Sequence, residues 1–180
     1  MPKNPRPDWD EYFINITREV AKRSTCMSMK SGAVIVKDKK IISTGYSGAP
    51  RSTLDCYERG ECLRRKLNIP SGQRYELCRS VHSEMNAIIN AGRTGEHIVD
   101  SDMYLWGMKV FNGENKPIDI YPCFICKKMI INAGLKRVIT MGADGKIKTY
   151  NVADWAKEWR EKDLIDDAAV YSAGDYKQKD

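Results

Sequence analysis

His82-Ser83-Glu84, opening the run Met85-Asn86-Ala87-Ile88-Ile89-Asn90-Ala91, and Pro122-Cys123-Phe124-Ile125-Cys126, opening Lys127-Lys128-Met129-Ile130-Ile131-Asn132-Ala133-Gly134, are the two stretches around which the chain is arranged. One imidazole and two thiolates fill three positions of a tetrahedral zinc site and leave the fourth for water. Each ligand group starts a helical-looking segment, where unsatisfied N–H groups and the helix dipole favour deprotonated ligands. Glu84, two residues after His82, puts a carboxylate beside the open position. An open metal position with an acid next to it is suited to activating water.

A lone C-x-x-C also marks a structural zinc knuckle or a redox pair, and a lone H-x-E is common by chance. Finding both in this order, with proline before the first cysteine and a helical pattern after each, removes most accidental matches. A closed structural site would give Glu84 no purpose. The expected centre is therefore catalytic, with His82, Cys123 and Cys126 as zinc ligands and Glu84 as the acid–base group. The pattern H-x-E…P-C-x-x-C is the signature of zinc deaminases.

Composition sets the bounds. A chain of 180 residues reads as one domain over 1–180, with a flexible lead at 1–8, a polar tail at 163–180 and enough length for a core without disulfides. The lead, Met1-Pro2-Lys3-Asn4-Pro5-Arg6-Pro7, lacks the apolar core of a secretory signal, and no long apolar run predicts a membrane span. Six cysteines in such a chain point to metal binding or reduced thiols in the cytoplasm. A net charge of +6 suits an anionic ligand. Lysine and arginine are scattered rather than striped, so no polynucleotide partner is expected, while a small phosphate-bearing molecule stays open.

Along the chain, Asp8 caps a first helix running to about Arg23. Ser31 to Lys37 and Ile41 to Tyr46 read as a hairpin turned at Asp38-Lys39-Lys40. Ser47 to Gln73 is a long irregular loop, a feature often functional in small domains. The His82 helix should stop at Gly92. Asp102 to Phe111 is a strand ending in the Asn112-Gly113 hairpin signal, with Ile118 to Tyr121 returning to Cys123. The Cys123 helix ends at Gly134, a strand follows over Lys136 to Met141, and Val152 to Lys162 is helical. Strands alternating with helices give an α/β fold on a mixed sheet.

Arg23-Ser24-Thr25-Cys26, Gly32-Ala33-Val34-Ile35-Val36, Gly45-Tyr46-Ser47-Gly48-Ala49-Pro50 and the two zinc motifs occur in that order. Together they resemble the deoxycytidylate (dCMP) deaminases of the bacterial and phage type, within the cytidine deaminase superfamily. The resemblance implies a three-layer α/β/α fold with a central five-stranded mixed sheet. It also implies hydrolysis of dCMP to dUMP and ammonia, supplying thymidylate synthesis. Many such proteins are homohexamers activated by dCTP and inhibited by dTTP, with Mg2+ accompanying the effector.

Residue by residue, the resemblance makes Glu84 the proton shuttle. The Ser83 N–H would bind the base O2, at a position that is usually alanine. The Tyr121 carbonyl would accept the amine, and Ala33 and Val34 would line the base pocket. Tyr104 and Tyr121 are either pocket walls or core. Ser47 stands where the family's usual asparagine contacts the sugar, with shorter reach. The segment after Cys26 lacks the arginines frequent in bacterial relatives. Lys30 is then the nearest cation for a 5′-phosphate, with Arg23 and Arg51 behind it, or each is a solvated charge. Tyr46, Gly48 and Arg93 are effector or interface candidates, and Arg93 reads equally as a solvated helix-end charge. The hairpin over 105–121 is longer than in many relatives and either covers the pocket or joins a subunit contact.

Cys26, Cys56, Cys62 and Cys78 lie in or beside the long loop. A second, structural zinc would order it, as in some relatives; the alternative is four buried free thiols. His97 lacks metal spacing. Two rival functions remain: a related deaminase acting on dCTP or free (deoxy)cytidine, and a non-catalytic zinc-stabilised interaction module.

Overall fold

The computed structural model describes residues 6–70, 73–111 and 113–162. The Asp8 side chain accepts the Glu11 amide at 2.8 Å and caps α1 (Trp9–Lys22), whose Phe13, Ile14, Thr17 and Ala21 are buried along one stripe. Then come β1 (Met29–Lys37) and β2 (Lys40–Tyr46). They are joined through Asp38 and Lys39, both at positive φ (50° and 61°), the backbone that matches the twist of a tight hairpin. The connection from β2 to the His82 helix contains, among the described residues, α2 (Leu63–Lys66) and a 3-10 turn, Tyr75–Leu77. After it follow α3 (Ser83–Arg93), β3 (Asp102–Phe111), β4 (Glu114–Pro117), α4 (Phe124–Asn132), β5 (Arg137–Met141), β6 (Ile147–Asn151) and α5 (Val152–Glu161).

The sheet runs β2-β1-β3-β5-β6, with β4 paired to the far end of β3. Only β3 and β5 are parallel among these pairs. The mixed five-strand path is as expected, and β4 adds a sixth strand. Side chains on adjacent strand positions face opposite sides, and this parity builds the layers. Ala33, Ile35, Met103 and Leu105 pack with Ala87, Cys126, Ile130 and Trp155 from α3, α4 and α5. Val34, Val36, Tyr104, Trp106 and Met108 pack with Phe13, Ile14 and Ala21 of α1. The result is three layers, helix on both faces of one sheet.

Three features differ from expectation. Gly92 lies inside α3, which ends at Arg93; the left-handed residue beyond it is Gly95, at φ 74°. The strand after the hairpin tip is β4, not Ile118 to Tyr121, which connects it to the Cys123 helix. β6 has no counterpart in the sequence reading. The tail 163–180 and the first five residues of the lead lie outside the described residues. Among the described residues no helix is long and apolar enough to cross a membrane.

Gly45 fixes how α3 sits on β2. A Cβ there would lie 2.3 Å from the backbone of Ser83 and Ala87, so any side chain must push the helix away. Gly45→Ala is expected to lower stability by about 1–3 kcal/mol, the range for overpacked cores. Thermal unfolding reads this directly, and an unchanged midpoint would contradict the close approach.

Candidate active site and metal centre

Two helix starts meet here. His82 is the N-cap of α3 and Cys123 the N-cap of α4, both with extended backbone. Cys126 follows in the first turn of α4. The Cys123 and Cys126 sulphurs each lie 3.4 Å from His82 Nδ1. Among the described residues this trio is the group of three or more such ligands whose donor atoms lie within 4.8 Å of one another. Zinc–sulphur and zinc–nitrogen bonds of about 2.3 and 2.0–2.1 Å at a tetrahedral angle separate the two donors by about 3.5 Å. The residues therefore fit zinc, with a fourth position to spare.

The donors and the carboxylate are electrostatically linked. A hydrogen bond from the Cys126 thiol pulls the Cys123 thiol down towards thiolate, with help from His82. The same bond, with burial, pushes Cys126 up, so the pair shares one proton. Burial draws the His82 imidazole down, but the Cys123 bond and the Glu84 charge outweigh it and leave it raised. Glu84 is 5 % exposed. Its burial pushes the carboxyl up against the opposing pull of His82, the direction a group needs to exchange protons near neutrality.

Ser83 is the first residue of α3, so its N–H makes no intrahelical bond. Its hydroxyl donates to Glu84 Oε2 at 3.0 Å and lies 2.9 Å from Ser31 Oγ. The departure from alanine thus puts a hydroxyl directly on the acid–base candidate. Ser47 lines the same cavity, but its hydroxyl is engaged by Ser24 Oγ at 2.7 Å, the Ser31 N–H at 3.1 Å and the Met29 carbonyl at 3.1 Å. It ties the loop to β1.

The cavity is about 590 Å3 and reaches from His82 and Glu84 outwards past Tyr75, Tyr121 and Arg64. Several expected residues lie elsewhere. Val34 belongs to the α1 layer, so of the pair only Ala33 is on the site's face of β1; neighbouring strand residues cannot both point into one pocket. Tyr104 is also on the α1 side, donating its hydroxyl to Asp10 at 2.7 Å, so it is core. Tyr121 does line the cavity. Lys30 pairs with Met108, a residue of the α1 layer, and its ammonium lies 5.8 Å from the Tyr57 ring centre. Arg51 donates to Asn90 Oδ1 at 2.9 Å, and Arg23 is exposed after α1.

Gly48 bridges Val81 by two backbone bonds, 3.2 and 2.8 Å, and so anchors the chain just before His82. Tyr46 is 37 % exposed, and its carbonyl accepts the Asn86 side chain at 2.8 Å. Arg93 closes the last turn of α3, and His97 meets Lys37 at 3.2 Å. Cys26, Cys56, Cys62 and Cys78 are free thiols that all line the cavity, without the close convergence of the trio. The Cys26 sulphur accepts the Met29 N–H at 3.4 Å.

Tyr75 escaped the sequence reading. Its ring stands edge-on to His82 at 5.1 Å, and burial pushes its hydroxyl up to about 12, so it stays protonated at neutral pH. It sits in the irregular loop, where no periodicity marks a residue as inward-facing.

A three-layer α/β domain with a His/Cys/Cys centre opened by two helix starts and flanked by a buried carboxylate is a zinc-centre hydrolase type of architecture. The model of the cytidine and deoxycytidylate deaminase zinc-binding region matches residues 7–142, and the chain belongs to that family. A deoxycytidylate deaminase of Mycobacterium phage D29 is 34% identical over 139 residues, covering 74% of this chain and 94% of the relative. A deoxycytidylate deaminase of Schizosaccharomyces pombe is 34% identical over 138 residues, covering 77% of this chain but 38% of the yeast protein. The chain thus spans well under half the length of that relative. The apo crystal structure of the dCMP deaminase from cyanophage S-TIM5 superposes with a TM-score of 0.55 at 25% identity, covering 76% of this chain and 85% of that one.

Proposed function

We propose that the chain hydrolyses dCMP to dUMP and ammonia, with Glu84 as proton shuttle and His82, Cys123 and Cys126 holding zinc. The observation that carries this is the buried Glu84 carboxylate set against a three-donor centre with a free fourth position. Similarity to deoxycytidylate deaminases along most of the phage relative supports the substrate. Bound zinc supplies a Lewis acid that makes water acidic enough to react at neutral pH.

The chain's own residues handle the base and the protons. The Ser83 N–H binds O2, and the Tyr121 carbonyl accepts from the exocyclic amine. Ala33 provides a small wall that admits the ring. Glu84 takes one proton from the incoming water and delivers it to N3, then takes the second proton from the oxygen now on C4 and gives it to the departing amine. The Ser83 hydroxyl holds the carboxylate in place for both transfers. Water's oxygen ends on C4, the C4–N bond breaks, and ammonia leaves.

The non-catalytic zinc module is disfavoured, because a closed structural site would carry a fourth protein ligand where Glu84 leaves room. A related deaminase for dCTP or (deoxy)cytidine differs in phosphate recognition and, for cytidine, in admitting a 2′-hydroxyl. Rates on dCMP, dCTP and deoxycytidine in competition separate them: a preference for dCMP is expected, and preference for either of the others would overturn the substrate assignment.

Regulation belongs to the same proposal: a homohexamer activated by dCTP with Mg2+ and inhibited by dTTP, with Tyr46, Gly48 and Arg93 at the effector site or interface. Sigmoidal dCMP kinetics made hyperbolic by dCTP are expected; a monomer indifferent to dCTP would remove it. The four thiols Cys26, Cys56, Cys62 and Cys78 are proposed to draw together on a second, structural zinc. This is supported by all four lining the same cavity. Two zinc equivalents per chain are expected, and one would overturn it. The protein is proposed to act in the cytoplasm.

A further inference from the structure

The outer wall of the cavity carries cations that the reaction above leaves unused. Lys109 is an odd-numbered residue of β3, on the same face as Met103 and Leu105 and so on the site's side of the sheet. It is exposed, lines the cavity and has no acidic partner among the described residues. Arg65 reaches across from α2 and donates to the Val110 carbonyl at 2.9 Å, which draws α2 against the end of β3. Arg64 donates to the Pro70 carbonyl at 2.6 Å, and its guanidinium lies 5.1 Å from the centre of the Tyr75 ring.

Tyr75 in turn stands against His82, so a continuous line of side chains runs from the zinc ligands to Arg64. Among the described residues the buried Arg64 Nε–H has no acceptor. A charged donor removed from water and left unpaired is costly, and an anion entering the cavity would relieve it. The other charges on this wall are already engaged. Arg79 donates to the Glu61 carbonyl and carboxylate at 2.9 and 3.1 Å. The Asp119 carboxylate accepts the Ala143 N–H at 2.9 Å and faces Lys148 at 3.7 Å.

We propose that Arg64, Arg65 and Lys109 form the clamp for the 5′-phosphate of the substrate and so make the cavity select a nucleotide over a nucleoside. This rests on the deaminase reading above. Arg64 offers directed N–H donors backed by an aromatic face, while Lys109 acts as a point charge at the rim. The parity of the strands explains the division: Lys30 lies on the α1 side of β1, whereas Lys109 lies on the site's side of β3.

The test compares the zinc-loaded chain with its Arg64→Gln and Lys109→Gln variants on dCMP and on deoxycytidine. It also compares binding of dUMP with binding of deoxyuridine. Losing a charge-assisted bond to phosphate is expected to reduce kcat/KM on dCMP about 10- to 100-fold for Arg64→Gln, chiefly through KM. For Lys109→Gln the expected loss is about 3- to 10-fold. The loss on deoxycytidine should be far smaller, so the preference for the nucleotide collapses. Binding of dUMP should weaken in parallel, and binding of deoxyuridine should not.

Equal losses on both substrates, or none on dCMP, would overturn the clamp. Arg64 also braces Pro70 and Tyr75, so if its variant fails to fold, Lys109→Gln on the exposed strand end decides alone. If the unaltered chain deaminates neither substrate, the deaminase reading fails, and the dUMP-to-deoxyuridine binding ratio still tests the clamp.

Discussion

Replacing Glu84 by glutamine is expected to slow dCMP deamination by about two to four orders of magnitude, the contribution of a well-placed general acid–base group, while zinc stays bound. Glutamine keeps the size of the side chain and can still meet the Ser83 hydroxyl, which lies 3.0 Å from Glu84 Oε2. It cannot accept the proton of the reacting water or return one to the amine. Rate and zinc content measured on the same preparation separate the roles. A variant that keeps its zinc and most of its rate would show that Glu84 is not the shuttle, and one that loses zinc would make Glu84 structural.

The second large effect is expected from Cys126→Ala. Cys126 is fully buried, and its sulphur is one of the two that lie 3.4 Å from His82 Nδ1. Removing it leaves two protein donors where zinc requires at least three in a catalytic site. Zinc content should fall by one equivalent per chain, and dCMP turnover should drop to background. Metal binding to the folded state is also folding free energy, so the unfolding midpoint should fall. A chelator should lower the midpoint of the unaltered chain by more than that of the variant, which keeps only the zinc proposed at the four loop thiols. Undiminished zinc in Cys126→Ala would mean that the metal is held elsewhere.

The fold was legible where sequence carries local physics. Asp8 as a cap, the β-branched run of β1 and the glycine at 134, found at φ 70° beyond α4, all left direct marks. The zinc motifs were legible because the metal needs particular donors at fixed spacing, whatever the surrounding fold. β6 was not, since an exposed edge strand with only Ile147 and Tyr150 half-buried has no apolar face to announce it. Val34 and Lys30 were misplaced because composition alone does not say which face of a strand is the site's; only the register to β3 settles parity. Arg64 and Tyr75 stayed hidden in a loop whose course is set by tertiary contacts. Gly92 was taken as a helix stop, yet α3 runs through it, because Thr94 and Glu96 still find carbonyls at Asn90 and Ala91.

These particulars also explain why the centre is built as it is. The ligands come from two helix starts, and α3 is pressed onto β2 at Gly45, where no side chain would fit. The metal donors and the carboxylate are thereby fixed to the sheet rather than to the loop. The loop contributes the arginines of α2, the four thiols and Tyr75 to the cavity.

The most direct measurement is product formation by the zinc-loaded full chain on dCMP, with dUMP and ammonia quantified together. The expected result is dUMP and ammonia in equal amounts, formed catalytically. Zinc bound at His82, Cys123 and Cys126 with no dUMP formed from dCMP would contradict the account.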